Sequence, residues 1–442
     1  MKNTGYKLRI YTLLLIFNAI CLLSTAQNTS VSNPDSMNLA AGLKSLSEVI
    51  SVEGLHNNAF PVKFLIKVKQ PIDYKNPETG SFSQRVVIGH AGFDKPTVLV
   101  TEGYGGRYAL SPSYIDELAR LFDTNLVFVE HRYFLESTPE PPLWEYLTVE
   151  NAMNDLHRIT SILKTIYKGK WISTGISKGG QTSIYYKAYF PDDIDIVIPY
   201  VAPICKGVED GRHEPFLRKV ATAGERETIL AFQTEILKRR EKLTPLFEEY
   251  CREKGYTFSV PLSEVYDLSV LEYPFAFWQW GTSIKSIPDI EDDDRKLFSH
   301  WMNISDPDYF RKDGPYDSFF VQAARELGYY GYDTKPLKKY LSVRNTKGYL
   351  PRVFLTEDNH FKFDKTGYKK VTKYIRKNDP KMILIYGEFD PWSAAAVSVP
   401  KNKTNTMAIF EPGGSHKARI STLPDDMAEK VKATISKWLA EN

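Results

Sequence analysis

Three side chains in this sequence are of the types that together turn a hydroxyl into a nucleophile: Ser177, Asp390 and His416. Ser177 lies in Gly175-Ile176-Ser177-Lys178-Gly179, after Trp171-Ile172-Ser173-Thr174 and before Gly180-Gln181-Thr182-Ser183, so the order reads strand, sharp turn, helix. Glycines two positions either side of a serine permit a turn tight enough to push the hydroxyl outward. A serine hydroxyl is a poor nucleophile at neutral pH; it needs a base, an acid to orient that base, and donors for the oxyanion. The apolar run 382–386 ends in Gly387-Glu388-Phe389-Asp390-Pro391-Trp392, and the run 406–410 leads through Glu411-Pro412-Gly413-Gly414-Ser415 to His416. Both residues therefore follow strand-like sequence. In this reading His416 takes the Ser177 proton, while Asp390 holds the imidazole in the useful tautomer and stabilises its cation. Glu388 is the alternative acid. Among the other histidines, His131 follows a strand but precedes the serine, His360 falls in a helical stretch, and His56, His157, His213 and His300 lack a strand-end position.

The elements around these residues must place them on one edge. The order serine, acid, histidine is that of the α/β-hydrolases. Residues 60–69 and 85–90 read as two strands joined by a turn-rich link, 96–101 and 125–130 as buried strands, 111–122 as a short helix, and 194–203 as a further strand. From Thr148, a plausible cap, Val149, Met153, Leu156, Ile159, Leu163 and Ile166 recur at helical spacing and lead to the Ser177 strand. Residues 425–439 read as a closing amphipathic helix. The fold class expected is α/β, a hydrolase sheet split into 58–205 and 379–442 by a helical cap inserted at 206–378, with 228–253 as one helical stretch. Such a cap covers the carboxyl ends of the strands, where open α/β sheets bind ligands. The glycine-rich turn Glu102-Gly103-Tyr104-Gly105-Gly106 stands where this fold donates one oxyanion N–H, so Tyr104 is the candidate donor and the amide of Lys178 the second.

Composition narrows the partners. With 57 Lys+Arg against 54 Asp+Glu the net charge is +3 over 442 residues, so no global field points to nucleic acid. Metal-ligand spacings and phosphate-binding loops are absent from the sequence, and no cofactor is expected. Aromatics make up 13% and cluster at 273–280 and 329–332. Lys2, Lys7 and Arg9 precede an apolar run at 10–23 and small residues at 24–26, which reads as a signal peptide over 1–26 cleaved near Ala26, with an uncleaved anchor as the alternative. Export, to a periplasmic or extracellular destination, and no stable membrane span after cleavage are the expectation. Ile20 is a poor match for lipidation at Cys21. Residues 27–57 are polar and read as a mobile leader. Cys205 and Cys251 either form one disulfide or stay as two buried thiols.

Residues 175–180, 98–106, 273–281 and 387–392 resemble the secreted prolyl tri/tetrapeptidyl aminopeptidases, serine peptidases distantly related to lysosomal Pro-Xaa carboxypeptidase and its dipeptidyl-peptidase sister. The resemblance covers most of the exported part. It implies an α/β-hydrolase with a helical cap that releases short N-terminal peptides, often after proline. In the lysosomal relatives a tyrosine usually follows the nucleophile; Lys178 stands there in this chain, which bears on side-chain preference and leaves the backbone donor intact. An ester hydrolase of the same fold and a non-catalytic exported binding protein are the competing readings. Peptides are the expected substrates. An aminopeptidase must hold a buried α-ammonium group, which needs a carboxylate partner. Glu272, Glu326 and Glu102 are the candidates, with Trp278 and Tyr329 expected to line the substrate pocket.

Overall fold

A computed structural model describes residues 34–441 other than 313 and 357–360. The expected signal peptide, Cys21 and His360 lie outside these residues. The chain divides into two compact units, residues 1–41 and 42–442. The described part of the first is the beginning of helix α1 (Pro34–Ser45).

The second unit holds a nine-stranded sheet in the order β1-β2-β3-β5-β4-β6-β7-β8-β9. Its strands are β1 (Val49–Gly54), β2 (Val62–Pro71), β3 (Ser81–His90), β4 (Thr97–Thr101), β5 (Asn125–Val129), β6 (Trp171–Ile176), β7 (Ile196–Tyr200), β8 (Met382–Gly387) and β9 (Thr406–Glu411). Pairing is antiparallel from β1 to β5 and parallel from β5 to β9. Every residue of β4, β5, β7 and β8 is buried, as expected of parallel strands covered on both faces. This is the α/β-hydrolase fold. Helices α2 (Glu117–Phe122), α3 (Val149–Leu163) and α4 (Lys178–Tyr189) follow β4, β5 and β6. Thr148 caps α3 as its sequence position suggests, its hydroxyl accepting from the Asn151 amide at 3.1 Å.

Two stretches differ from expectation. The leader expected at 27–57 is structured over 34–54, as α1 and the edge strand β1. Its polar composition misled because an edge strand is held by backbone pairing, here Val52 with Ile66 and Gly54 with Phe64, and leaves its side chains half in water. Between β7 and β8 the described residues form no strand and eight helices: α5 (His213–Leu217), α6 (Ala223–Lys238), α7 (Arg240–Lys254), α8 (Leu262–Gln279), α9 (Asp294–Ile304), α10 (Asp317–Gln322), α11 (Tyr349–Phe354) and α12 (Thr366–Lys377). The single stretch expected at 228–253 is broken at Arg239. Its guanidinium reaches Glu235 (2.8 Å), Asp294 (2.9 Å) and the carbonyls of Ile290 and Asp292, turning the chain there. Helix α13 (Asp425–Ala440) closes the chain. Cys205 and Cys251 are buried free thiols, and no helix among the described residues is long and apolar enough to cross a membrane.

Candidate active site

The turn after β6 is held by backbone contacts that only small residues allow. Ser177 adopts φ 56°, ψ −120°, a region that non-glycine residues occupy only when their surroundings impose it. Its amide donates to the Tyr200 carbonyl on β7 at 2.9 Å. A Cβ on Gly175 would stand 2.5 Å from the Gly179 carbonyl oxygen, and one on Gly179 would stand 2.7 Å from the Thr101 carbonyl oxygen. Thr101 fastens the turn to β4 by donating its hydroxyl to the carbonyls of Thr174 (3.0 Å) and Gly179 (2.9 Å). Helix α4 begins at Lys178, so the Lys178 amide is the first of the helix N-terminus, the end that favours a developing negative charge.

Asp390 and His416 come together. The loops after β8 and β9 bring the His416 Nδ1 to 2.7 Å from the Asp390 Oδ2. Asp390 is fully buried and His416 nearly so. The other Asp390 oxygen accepts from the Trp392 amide at 3.1 Å. With Asp390 accepting at Nδ1, Nε2 is the nitrogen that can receive a proton. The His416 amide donates to the Gln279 carbonyl at the end of α8 (2.9 Å), so a helix of the inserted stretch helps seat the histidine loop. Glu388 is exposed, and its carboxylate accepts from the Gly413 amide at 2.8 Å, which ties the two loops and leaves Asp390 as the acid at the imidazole. His131 is buried on the other loop, its Nδ1 2.8 Å from the Arg132 carbonyl, and burial with the Lys178 charge pushes its pKa well down.

Tyr104 is near Ser177, but through a different atom from the one expected. Its amide is turned to the Glu102 Oε1 at 3.1 Å, because a carboxylate two residues earlier can curl back onto that N–H. Its phenol instead is close enough to Ser177 to feel that side chain. Beneath it lies the Lys178 side chain, which is buried. Its ammonium donates to the Gly103 carbonyl and lies 5.6 Å from the Tyr104 ring centroid and 5.1 Å from that of Phe134. Burial lowers the Lys178 pKa to about 7, the Glu102 charge opposing it.

The three candidate acids stand in different surroundings. Glu102 also accepts from the Tyr108 hydroxyl at 2.5 Å, and burial raises its pKa. Glu326 accepts from the Val149 amide at 2.6 Å and so serves the first turn of α3. Burial raises its pKa to about 7. Glu272, on α8, is held by the hydroxyls of Tyr330 (2.9 Å to each oxygen) and Tyr332 (2.8 Å), and burial raises its pKa to about 8. Tyr329 stacks on Tyr330 at 4.3 Å and meets Trp392 edge-on at 5.3 Å, beside Asp390. Trp278 packs edge-on against Phe389 at 5.6 Å. Trp278 also lines, with Leu271, Phe275 and Tyr332, a cavity of about 290 Å³ whose walls include none of Ser177, Asp390 and His416.

The family model of PS-10 peptidase S37 matches residues 32–441. The chain belongs to this family. It is 31% identical over 382 residues to the prolyl tri/tetrapeptidyl aminopeptidase of Streptomyces mobaraensis, a match spanning 84% of this chain and 78% of that protein. Among solved structures it is similar to a proline iminopeptidase of Mycobacterium smegmatis (12% identity, TM-score 0.42, 84% of this chain and 98% of the other). It is also similar to an α/β fold family hydrolase of Bacillus anthracis (10% identity, TM-score 0.33, 88% and 99%). The chain is thus a serine-type peptidase, a hydrolase.

Within this peptidase, reasoning from sequence missed the Tyr104 phenol, the buried Lys178 side chain and the hydroxyls of Tyr330 and Tyr332. A signal for the last pair was present: tyrosines two apart in Tyr330-Gly331-Tyr332 lie on one side of an extended segment.

Proposed function

We propose that this peptidase is exported and removes tripeptides or tetrapeptides from the N-termini of peptides, cutting after proline, with Ser177 as nucleophile, His416 as base and Asp390 as its orienting acid. The observation that carries the reading is the buried His416–Asp390 pair at 2.7 Å, on loops leaving the same sheet edge as the strained Ser177 turn. Likeness to an aminopeptidase named for prolyl tri- and tetrapeptides supports the substrate class. Ser177 Oγ attacks the scissile carbonyl as His416 Nε2 takes its proton. The oxyanion is held by the Lys178 amide and by the Tyr104 hydroxyl, which replaces the Tyr104 amide as second donor. His416 then protonates the leaving amine, and water hydrolyses the acyl-enzyme by the reverse proton path. Export rests on the signal-like residues 1–26.

The test is a panel of fluorogenic peptides with free and blocked N-termini and varied residues at the cut, run beside short acyl esters. Fast release of tripeptides or tetrapeptides ending in proline from free-amine substrates alone is expected. Equal cleavage of blocked peptides, or cleavage of esters alone, overturns the reading in favour of an endopeptidase or an esterase. Recovery of the protein outside the cytoplasm with an N-terminus at Gln27 is the expected result for export, and cytoplasmic full-length protein overturns it.

A further inference from the structure

A carboxylate inside a protein is ordinarily matched by a cation, because the charged form loses its hydration on burial. Glu272 is 6% exposed, and among the described residues its hydrogen-bond partners are two tyrosine hydroxyls and no cation. Two more phenols stand behind these donors: the Tyr309 hydroxyl is 3.4 Å from that of Tyr330, and the Tyr349 ring is 4.7 Å from that of Tyr332. Tyr330 stacks on Phe275 at 3.8 Å, which fixes one donor in place. Such a cage, of acceptor oxygens and aromatic rings around one carboxylate, suits an ammonium group: the carboxylate supplies the charge and the rings supply cation–π contact.

The cage is also linked to the serine turn. An unbroken wall of rings leads to it from Tyr104 in the turn packed against Ser177 and Lys178: Tyr104 to Phe319 at 5.6 Å, Phe319 to Tyr329 at 5.7 Å, and Tyr329 to Tyr330 at 4.3 Å. An extended chain covers about 10 Å in three residues and about 14 Å in four. We propose that Glu272, presented by Tyr330 and Tyr332, is the anchor for the α-ammonium group of the peptide substrate, and that its distance from Ser177 sets the length of peptide released. The proposal rests on the aminopeptidase reading above. Neither other acid is placed for this role, since Glu326 is committed to the start of α3 and Glu102 to the Tyr104 turn. The elevated Glu272 pKa agrees with a site that lacks its cation until substrate arrives.

The experiment compares wild type with Glu272→Gln on two fluorogenic peptides that differ only in a free or acetylated N-terminus, and on the matching tripeptides as competitive inhibitors. For the free-amine peptide kcat/KM is expected to fall roughly 30- to 3000-fold, the range for truncating one partner of a buried charge pair. The acetylated peptide should change far less, so the free-to-acetylated ratio collapses in both rate and inhibition. A variant that keeps the wild-type ratio overturns the anchor and leaves the aminopeptidase reading standing. Wild type that treats both peptides alike overturns that reading, and the anchor with it. Should Glu272→Gln fail to fold, Tyr332→Phe removes one donor to the carboxylate and is expected to lower the same ratio about tenfold or more; an unchanged ratio there overturns the proposal.

Discussion

Two buried carboxylates, Asp390 on the sheet edge and Glu272 among the inserted helices, meet the problem of burial in different ways. Asp390 has the His416 ring and a backbone amide on its two oxygens, all supplied by loops that leave adjacent parallel strands. Glu272 has phenols only, donated by a segment 58 to 60 residues further along the chain. The first arrangement is complete as it stands and can move a proton. The second has no cation among its hydrogen-bond partners in the described residues. The difference teaches that the strand-end loops complete a buried carboxylate from within, whereas, on the proposal above, the helices leave one whose counterpart is the substrate.

The largest effect that tests this division is loss of the nucleophile. Ser177→Ala is expected to lower kcat by about 10⁴-fold or more with the thermal melt unchanged; stopped assays at saturating peptide decide, and an active variant removes the mechanism. His416→Ala should lose as much. Next, Asp390→Asn is expected to cost on the order of 10³- to 10⁴-fold in kcat. Exposed Glu388→Gln should leave kcat near wild type, and the reverse ranking would exchange the acid.

Smaller in scale is a test of the backbone contacts behind the first arrangement. Gly179→Ala forces a methyl against the Thr101 carbonyl and should destabilise the fold by about 1–3 kcal/mol in urea unfolding. Gly224→Ala, where nothing lies within 4 Å of the added carbon, serves as its control in α6 and should not destabilise. Equal losses would show that close approach is not what holds the turn.

The finest test is in pH, where the two regions carry opposite signs. Burial holds the Lys178 pKa near 7 against an ordinary 10.5, so between those values the unfolded chain binds more protons and stability rises with pH. Burial raises the Glu272 pKa from 4.5 to about 8, so there the folded chain binds more protons and stability falls as pH rises through that window. Each slope is at most about 1.4 kcal/mol per pH unit. Denaturant unfolding of wild type minus Lys178→Met should therefore climb from pH 7.5 to 9.5, and wild type minus Glu272→Gln should fall from pH 5.5 to 7.5. Slopes of the same sign would mean that the two sites are not buried as described.

Local chemistry made part of this peptidase legible without any structure. Gly175-Ile176-Ser177-Lys178-Gly179, the strand-like runs at 382–386 and 406–410, and the acid and histidine that follow them could all be read, because strand periodicity and glycine's conformational freedom are properties of a few neighbouring residues. What the sequence by itself determined is thus the residue set, its order and the fold that carries it. Only the tertiary structure decided that β1 is an edge strand, that the Tyr104 amide belongs to Glu102, and which of three acids is held by two phenols of the inserted stretch. Those outcomes are competitions for hydrogen bonds and for water between residues as far apart as Val149 and Glu326, and the winner depends on which groups the fold brings together and dries.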